Sequence, residues 1–257
     1  MKRRIKPIQL LRAIIQLIAF LTVPALFVTL FSAISSIITA LIGGSFTFST
    51  YLGSIMFVLG FFLVTLIWGR FFCGFICSFG AMQDLLHAVG SLLPFRIRVS
   101  ETADKWLKKL KYAVLAFVAV GVWGFSVPGD TLWSPWAVFG MYSSLSAWSS
   151  LQYFATLGGV LLILIMLGSL FAERFFCKYL CPLGAFYALF QRVSLVRLRV
   201  DAAACTGCGA CVKACPMQVD PAKTLNSAEC IRCGECVRAC PAHALTFRKP
   251  GTKGENP

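Results

Sequence analysis

Cys205-Thr-Gly-Cys208-Gly-Ala-Cys211-Val-Lys-Ala-Cys215-Pro216 is followed by Cys230-Ile-Arg-Cys233-Gly-Glu-Cys236-Val-Arg-Ala-Cys240-Pro241. Both segments carry the spacing C-x2-C-x2-C-x3-C-P, the signature of bacterial ferredoxins with two [4Fe-4S] clusters. The chemistry explains the spacing. Three closely spaced thiolates can wrap one face of a cubane only through a tight loop, and Gly207, Gly209 and Gly234 permit that approach. The fourth cysteine cannot fold back onto the same cube, so it serves the other one, and the proline after it turns the chain away. Cys205, Cys208, Cys211 and Cys240 are therefore expected to hold one cluster, and Cys230, Cys233, Cys236 and Cys215 the other. A disulfide framework does not suit a tail in a reducing compartment. Zinc closes its structural sites with four ligands and would leave the extra cysteines idle.

Upstream of this tail the composition is that of a membrane protein. Of 257 residues, 58% are hydrophobic and 13% charged, against about a quarter charged in ordinary soluble domains. No charged residue lies between Ala13 and Gly69, and between Tyr112 and Ala172 the one charge is Asp130. A crossing takes about 20 apolar residues, so each stretch holds two crossings and a connection. The expected spans are 13–35, 51–69, 112–128 and 153–172, without the polar stripe of soluble helices. The first connection runs from Gly43 to Thr50. The second carries Trp133, Pro135 and Trp136, aromatics suited to the membrane–water interface.

The net charge of +14 would suggest nucleic acid on a soluble protein, but its distribution excludes that partner. The cations flank the apolar runs: Lys2 to Arg12, then Arg70 and Arg96 to Lys111, then Arg174 to Arg199. The two outer connections have no Lys or Arg. This positive-inside pattern puts both termini, the central loop and the cluster domain in the cytoplasm, with the chain in the bacterial cytoplasmic (inner) membrane. The opening Met1-Lys-Arg-Arg-Ile-Lys6 precedes an apolar run too long for a cleaved signal, so an uncleaved anchor is expected.

A second motif is repeated. Arg70-Phe-Phe-Cys73-Gly-Phe-Ile-Cys77-Ser-Phe-Gly-Ala81 returns as Arg174-Phe-Phe-Cys177-Lys-Tyr-Leu-Cys181-Pro-Leu-Gly-Ala185, each copy at the cytoplasmic end of an outside-to-inside helix. The membrane part thus divides into two tandem hairpins related by an axis along the membrane normal. Cys73, Cys77, Cys177 and Cys181 sit at i and i+4, on one helical face if the helix continues. Pro182 ends a helix in the second copy, where the first has Ser78. The functional reading is a redox or metal-binding set; the plain one is small soft side chains packing between helices. Dithiol exchange, bound copper or zinc, and a thiolate-tuned quinone site remain as chemistries. Arg70, Arg174, Glu173 and Asp84 flank these cysteines and read first as topology anchors, with proton or quinone handling as the alternative. His87 and His243, the only histidines, cannot together hold a transmembrane haem, and no C-x-x-C-H is present.

The expected fold is an all-α polytopic membrane domain of four transmembrane helices over 1–200, a small α+β two-cluster ferredoxin-like domain over 201–249, and a disordered end over 250–257. This arrangement resembles the membrane polyferredoxins of the NapH, MauN and NosR type, most closely in Trp68-Gly-Arg-Phe-Phe-Cys73 and Glu173-Arg-Phe-Phe-Cys177-Lys-Tyr-Leu-Cys181-Pro-Leu-Gly-Ala185. The resemblance implies electron transfer between a quinol pool, or a cytoplasmic ferredoxin-type donor, and a terminal reductase or flavoprotein. The protein would then be a redox subunit of an oxidoreductase complex, not a stand-alone enzyme. Longer members carry a flavin domain outside the membrane; here the flavin is expected on a separate subunit. The expected cofactors are two [4Fe-4S] clusters, with a quinone and an extra metal at the membrane cysteines as further candidates. The expected partners are lipid and redox proteins, the latter steered by Lys213, Arg232 and Arg238 toward an acidic face. Copper-reducing assembly factors share similar helices and clusters and supply the second reading, in which the clusters reduce a metal held by the membrane cysteines.

Overall fold

The computed structural model describes residues 7–23, 25–44, 47–92, 100–124, 134–143, 154–224 and 227–248. Its elements in chain order are helices α1 (Pro7–Thr22), α2 (Leu26–Ile42), α3 (Phe48–Trp68), α4 (Phe71–Phe75), α5 (Ser78–Gly90) and α6 (Glu101–Val118), the last continuing as a wider π-helical turn over Ala119–Gly124. Then come α7 (Pro135–Ser143), α8 (Leu157–Phe171), α9 (Phe175–Tyr179), α10 (Pro182–Phe190), strand β1 (Arg197–Val200), α11 (Ala210–Lys213), α12 (Glu235–Ala239) and β2 (Leu245–Arg248).

The apolar stretches become helices, but not four long ones. Only α3, with 21 residues, is by itself long and apolar enough to cross a bilayer among the described residues; α1 and α2 qualify together as a bent pair, and α8 is a shorter apolar helix. The expected first span, 13–35, therefore falls across two helices. Pro24 stands between them in the sequence; it lacks an N–H and disfavours helical backbone in the residue before it. The third expected span is α6 with its π-helical turn, and the rest of it lies outside the described residues, as do 250–257.

Aromatic side chains form the centre of the bundle. Phe79 of α5 packs on Phe139 of α7 and on Phe176 of α9, both at 4.7 Å between ring centroids, while Phe27 of α2 meets Phe176 edge-on at 6.3 Å. Trp136 is buried against Phe31, at 5.6 Å. Close helix packing uses glycine, since a Cβ on Gly90 of α5 would stand 2.1 Å from the Leu170 carbonyl oxygen of α8. The outward faces of α1, α3 and α8 are apolar, with Leu17, Leu21, Met56, Leu63, Leu157 and Leu164 exposed.

The strand before the tail pairs with its end. β1 pairs antiparallel with β2 in the register Arg197↔Arg248 through Val200↔Leu245, so residues 197–200 belong with the tail and not with the helices. The tail is also not a separate ball on a linker. Ile231, Met217, Val219 and Cys233 are buried in the same apolar core as Phe72, Phe176 and Leu183.

Candidate iron–sulfur sites

The two cysteine loops of the tail turn tightly through residues of positive φ. Gly207, Gly209 and Gly234 all take positive φ, at 68°, 67° and 77°, values open to glycine at little cost. The second loop has Arg232 where the first has Gly207, and its φ is 56°. Its side chain holds that conformation by donating to the Ser194 hydroxyl at 2.7 Å and to the Val196 carbonyl.

The thiols sort into two groups. Cys236 lies within electrostatic reach of Cys233, Cys230 and Cys215, and Cys215 of Cys230. Cys211 lies within reach of Cys240. The fourth cysteine of each run is thus beside the other run's loop, as a crossed ligand set needs, and all-thiol donor sets suit iron–sulfur cubes. Their surroundings differ. Cys205 and Cys208 are exposed, whereas Cys233 is buried. Burial pushes the Cys233 thiol up to about 12, while backbone donation from Ala210, with help from Thr206, draws Cys208 below the usual thiol value. Ligation would displace the proton from the buried thiols, as metal binding does elsewhere.

The second loop is docked on the bundle. A Cβ on Gly74 of α4 would fall 2.4 Å from the Ile231 carbonyl oxygen and 3.7 Å from the Cys233 nitrogen. Gln9 donates to the Cys233 carbonyl at 3.1 Å, Arg70 to the Ala228 carbonyl at 3.0 Å, and Lys108 to the Gln218 carbonyl at 3.2 Å. The cluster expected on Cys230, Cys233, Cys236 and Cys215 would therefore face the helices, with the other facing solvent.

The cysteines of the repeat come together beneath it. Each of Cys73, Cys77, Cys177 and Cys181 is buried and lies within electrostatic reach of the other three. They do not share a continuous helical face, as i, i+4 spacing alone suggests. Cys73 and Cys177 sit in the short helices α4 and α9, the chain kinks, and Cys77 and Cys181 become the N-caps of α5 and α10. The backbone is nearly the same in both copies, φ −60° and ψ 112° at Cys77 against φ −69° and ψ 110° at Cys181. Ser78 therefore opens its helix as Pro182 does, although proline is the residue pre-set for a first helical turn.

Arg70 and Arg174 are almost fully buried, and burying a charge is costly unless it is paired. Arg174 makes a two-point contact with Asp84 at 2.7 and 2.6 Å and donates to the Cys73 carbonyl at 2.6 Å. Arg12 approaches the same carboxylate at 2.6 Å. Arg70 lies 3.6 Å from Glu229, which also pairs with Lys111. A third group joins Asp104 to Lys108 at 2.5 Å, to the Tyr179 hydroxyl at 2.7 Å and to Lys178. These networks were hidden in the sequence, since most of their partners lie far apart along it. Of the three tail cations expected to steer a partner, Lys213 is exposed, but Arg232 is buried and Arg238 is held by Glu235 at 2.5 Å. His243 is exposed in the tail and His87 lies on α5, far apart in the chain and in different units.

A helical bundle carrying a docked two-loop cysteine tail defines an iron–sulfur electron-transfer protein of ferredoxin type. A family profile described as a 4Fe-4S binding domain matches residues 50–110 and 154–200, and one described as a 4Fe-4S dicluster domain matches 197–241. The chain is 31% identical over 218 residues to an uncharacterized protein of Methanocaldococcus jannaschii, covering 82% of this chain and 76% of that one. It is 30% identical to the ferredoxin-type protein NapH of Haemophilus influenzae, over 57% of this chain and 47% of that one. Against the methylamine utilization ferredoxin-type protein MauN of Methylobacillus flagellatus it is 27% identical, over 69% and 58%. The match thus spans about half the length of these two named relatives. No solved structure matches the chain. The chain belongs to the NapH/MauN-type polyferredoxin family.

Proposed function

We propose that this protein is a membrane-bound electron relay, in which an exposed tail cluster on Cys205, Cys208, Cys211 and Cys240 exchanges electrons with a soluble redox partner. A second cluster, on Cys230, Cys233, Cys236 and Cys215, passes them to or from the quinol pool or a partner subunit at the bundle. The observation that carries this reading is the docking of the Ile231–Cys233 backbone on Gly74, next to Cys73, where a Cβ would not fit. That contact brings one cluster loop against the helices and leaves the other to solvent.

The apolar outward faces of α1, α3 and α8 support a bilayer as their surroundings, since contiguous apolar surface of this kind is disfavoured in water. We read the bundle as crossing the membrane with the cation-rich ends, and hence the tail, on the cytoplasmic side. Copper or zinc held by the bundle cysteines, with the tail clusters as its reductant, is the second reading.

The test is reoxidation. Protein purified anaerobically in nanodiscs and reduced with dithionite is mixed with a water-insoluble quinone after the excess reductant is removed. The relay predicts return of the cluster absorbance within the mixing experiment. Tail clusters that stay reduced would overturn it.

A further inference from the structure

Both copies of the repeat take hold of the same half of the tail. The residue after the first cysteine of each copy is Gly74 in one and Lys178 in the other. Gly74 receives the backbone of Ile231 and Cys233, from the loop that carries three of the docked cluster's expected ligands. Lys178 serves the fourth. Its ammonium donates to the side-chain carbonyl of Gln218, three residues after Cys215. Lys108 of α6 joins it by donating to the Gln218 backbone carbonyl at 3.2 Å.

Gln218 closes a turn that aims donors at a ligand. Its nitrogen donates to the Cys215 carbonyl at 3.0 Å, and its φ is 48°, in a region that residues other than glycine seldom enter. In that turn the Val219 nitrogen donates to the Cys215 sulfur at 3.4 Å, and the Met217 N–H is a second donor. The other cysteine run makes a turn of the same shape. There His243 donates to the Cys240 carbonyl at 3.5 Å with a φ of 52°. His243 stands exposed, whereas Gln218 is held by lysines through both its carbonyl oxygens. Folding the tail does not require that difference, since the turn after Cys240 forms in solvent.

The charges point the same way. Lys178 and Asp104 are buried. The Asp104 carboxylate pairs with Lys178, with Lys108 at 2.5 Å, and accepts from the Tyr179 hydroxyl at 2.7 Å. One carboxylate between two ammonium groups leaves one positive charge in excess, and both ammonium groups lie within electrostatic reach of Cys215. Reduction adds negative charge to a cluster, so cations and N–H donors at its sulfurs favour the reduced state and raise its potential. We propose that Lys108 and Lys178 are positioning residues that hold the Gln218 turn against Cys215 and raise the reduction potential of the docked cluster. The shift favours passage of electrons from the exposed cluster toward the helices. The clamp rests on the relay reading, which places a cluster on Cys215.

The experiment is a redox titration of the anaerobically purified full chain in nanodiscs, followed by low-temperature electron paramagnetic resonance. The component absent from Cys233→Ser belongs to the docked cluster. Lys178→Met and Lys108→Met should each lower the midpoint of that component and leave the midpoint of the exposed cluster in place. Lys178→Arg keeps the charge and should recover part of the shift, although its planar head bonds differently. Because Lys178 is buried and its loss could disturb folding, Lys108→Met gives an independent reading, its side chain keeping 13% exposure. Equal midpoints in the wild type and both methionine variants, or an equal shift in both clusters, would overturn the clamp and leave the relay standing. A wild-type tail that binds no iron would overturn both.

Discussion

Asp84 is the residue through which the buried charges can be tested most cleanly. Its carboxylate receives Arg174 at 2.7 and 2.6 Å and Arg12 at 2.6 Å, with Gln16 a further donor at 3.3 Å. Asp84→Asn keeps the shape and removes the charge, leaving two guanidiniums facing each other where water is scarce. Removing one partner of a buried pair costs about 3–5 kcal/mol. The Asp84 side chain retains 22% exposure while Arg174 has none, so the low end of that range applies, about 3 kcal/mol. For a chain of this size each kcal/mol moves the melting temperature by about 2–4 °C, so a fall of about 6–12 °C is expected. The assay is thermal unfolding in detergent, followed by tryptophan fluorescence under anaerobic conditions. Asp84→Glu should recover part of the loss, since it restores the charge at a slightly wrong place. A loss below about 1 kcal/mol, the value of an exposed pair, would refute a buried, desolvated pairing of these arginines with Asp84.

Gly74→Val should lift the tail from α4, because even a Cβ would stand 2.4 Å from the Ile231 carbonyl; about 1–3 kcal/mol of destabilisation is expected, with limited proteolysis releasing the tail faster and cluster content unchanged. Gly90→Val should cost a similar amount by parting α5 from α8, where the Leu170 carbonyl blocks the site at 2.1 Å, and the same melting assay reads it. In iron-depleted protein, iodoacetamide followed by mass spectrometry should label Cys208 first. Its thiol is exposed and drawn below the usual value, so its thiolate fraction at neutral pH exceeds that of an ordinary cysteine and the rate rises over a lower pH range. Cys73, Cys77, Cys177 and Cys181 should react only after denaturation, and early labelling there would contradict their burial.

Much of the tail was legible because its chemistry is local. Cysteine spacing fixes which thiols can share a loop, and Gly207, Gly209 and Gly234 mark the positive-φ positions directly. Arg232 escaped the same reading, since nothing local announces that Ser194 and Val196 will hold it there. The pairs at Cys73 and Cys177 were found through the repeat, but their convergence depends on packing between α5, α8 and α9, which no spacing encodes. The partners of the arginines were hidden for the same reason. At a helix end, Arg70 and Arg174 look like anchors until the fold supplies Glu229 and Asp84 from more than 80 residues away in the chain. The pairing of β1 with β2 was equally hidden, because β1 reads as the end of an amphipathic segment until β2 lies beside it.

The relay from solvent through the docked loop to the helices is tested most directly by breaking its middle. In Cys233→Ser the exposed cluster on Cys205, Cys208, Cys211 and Cys240 should still assemble and still accept electrons from dithionite, as seen by low-temperature electron paramagnetic resonance. Its reoxidation by a membrane quinone in nanodiscs should be lost. Reoxidation at the wild-type rate would contradict the account.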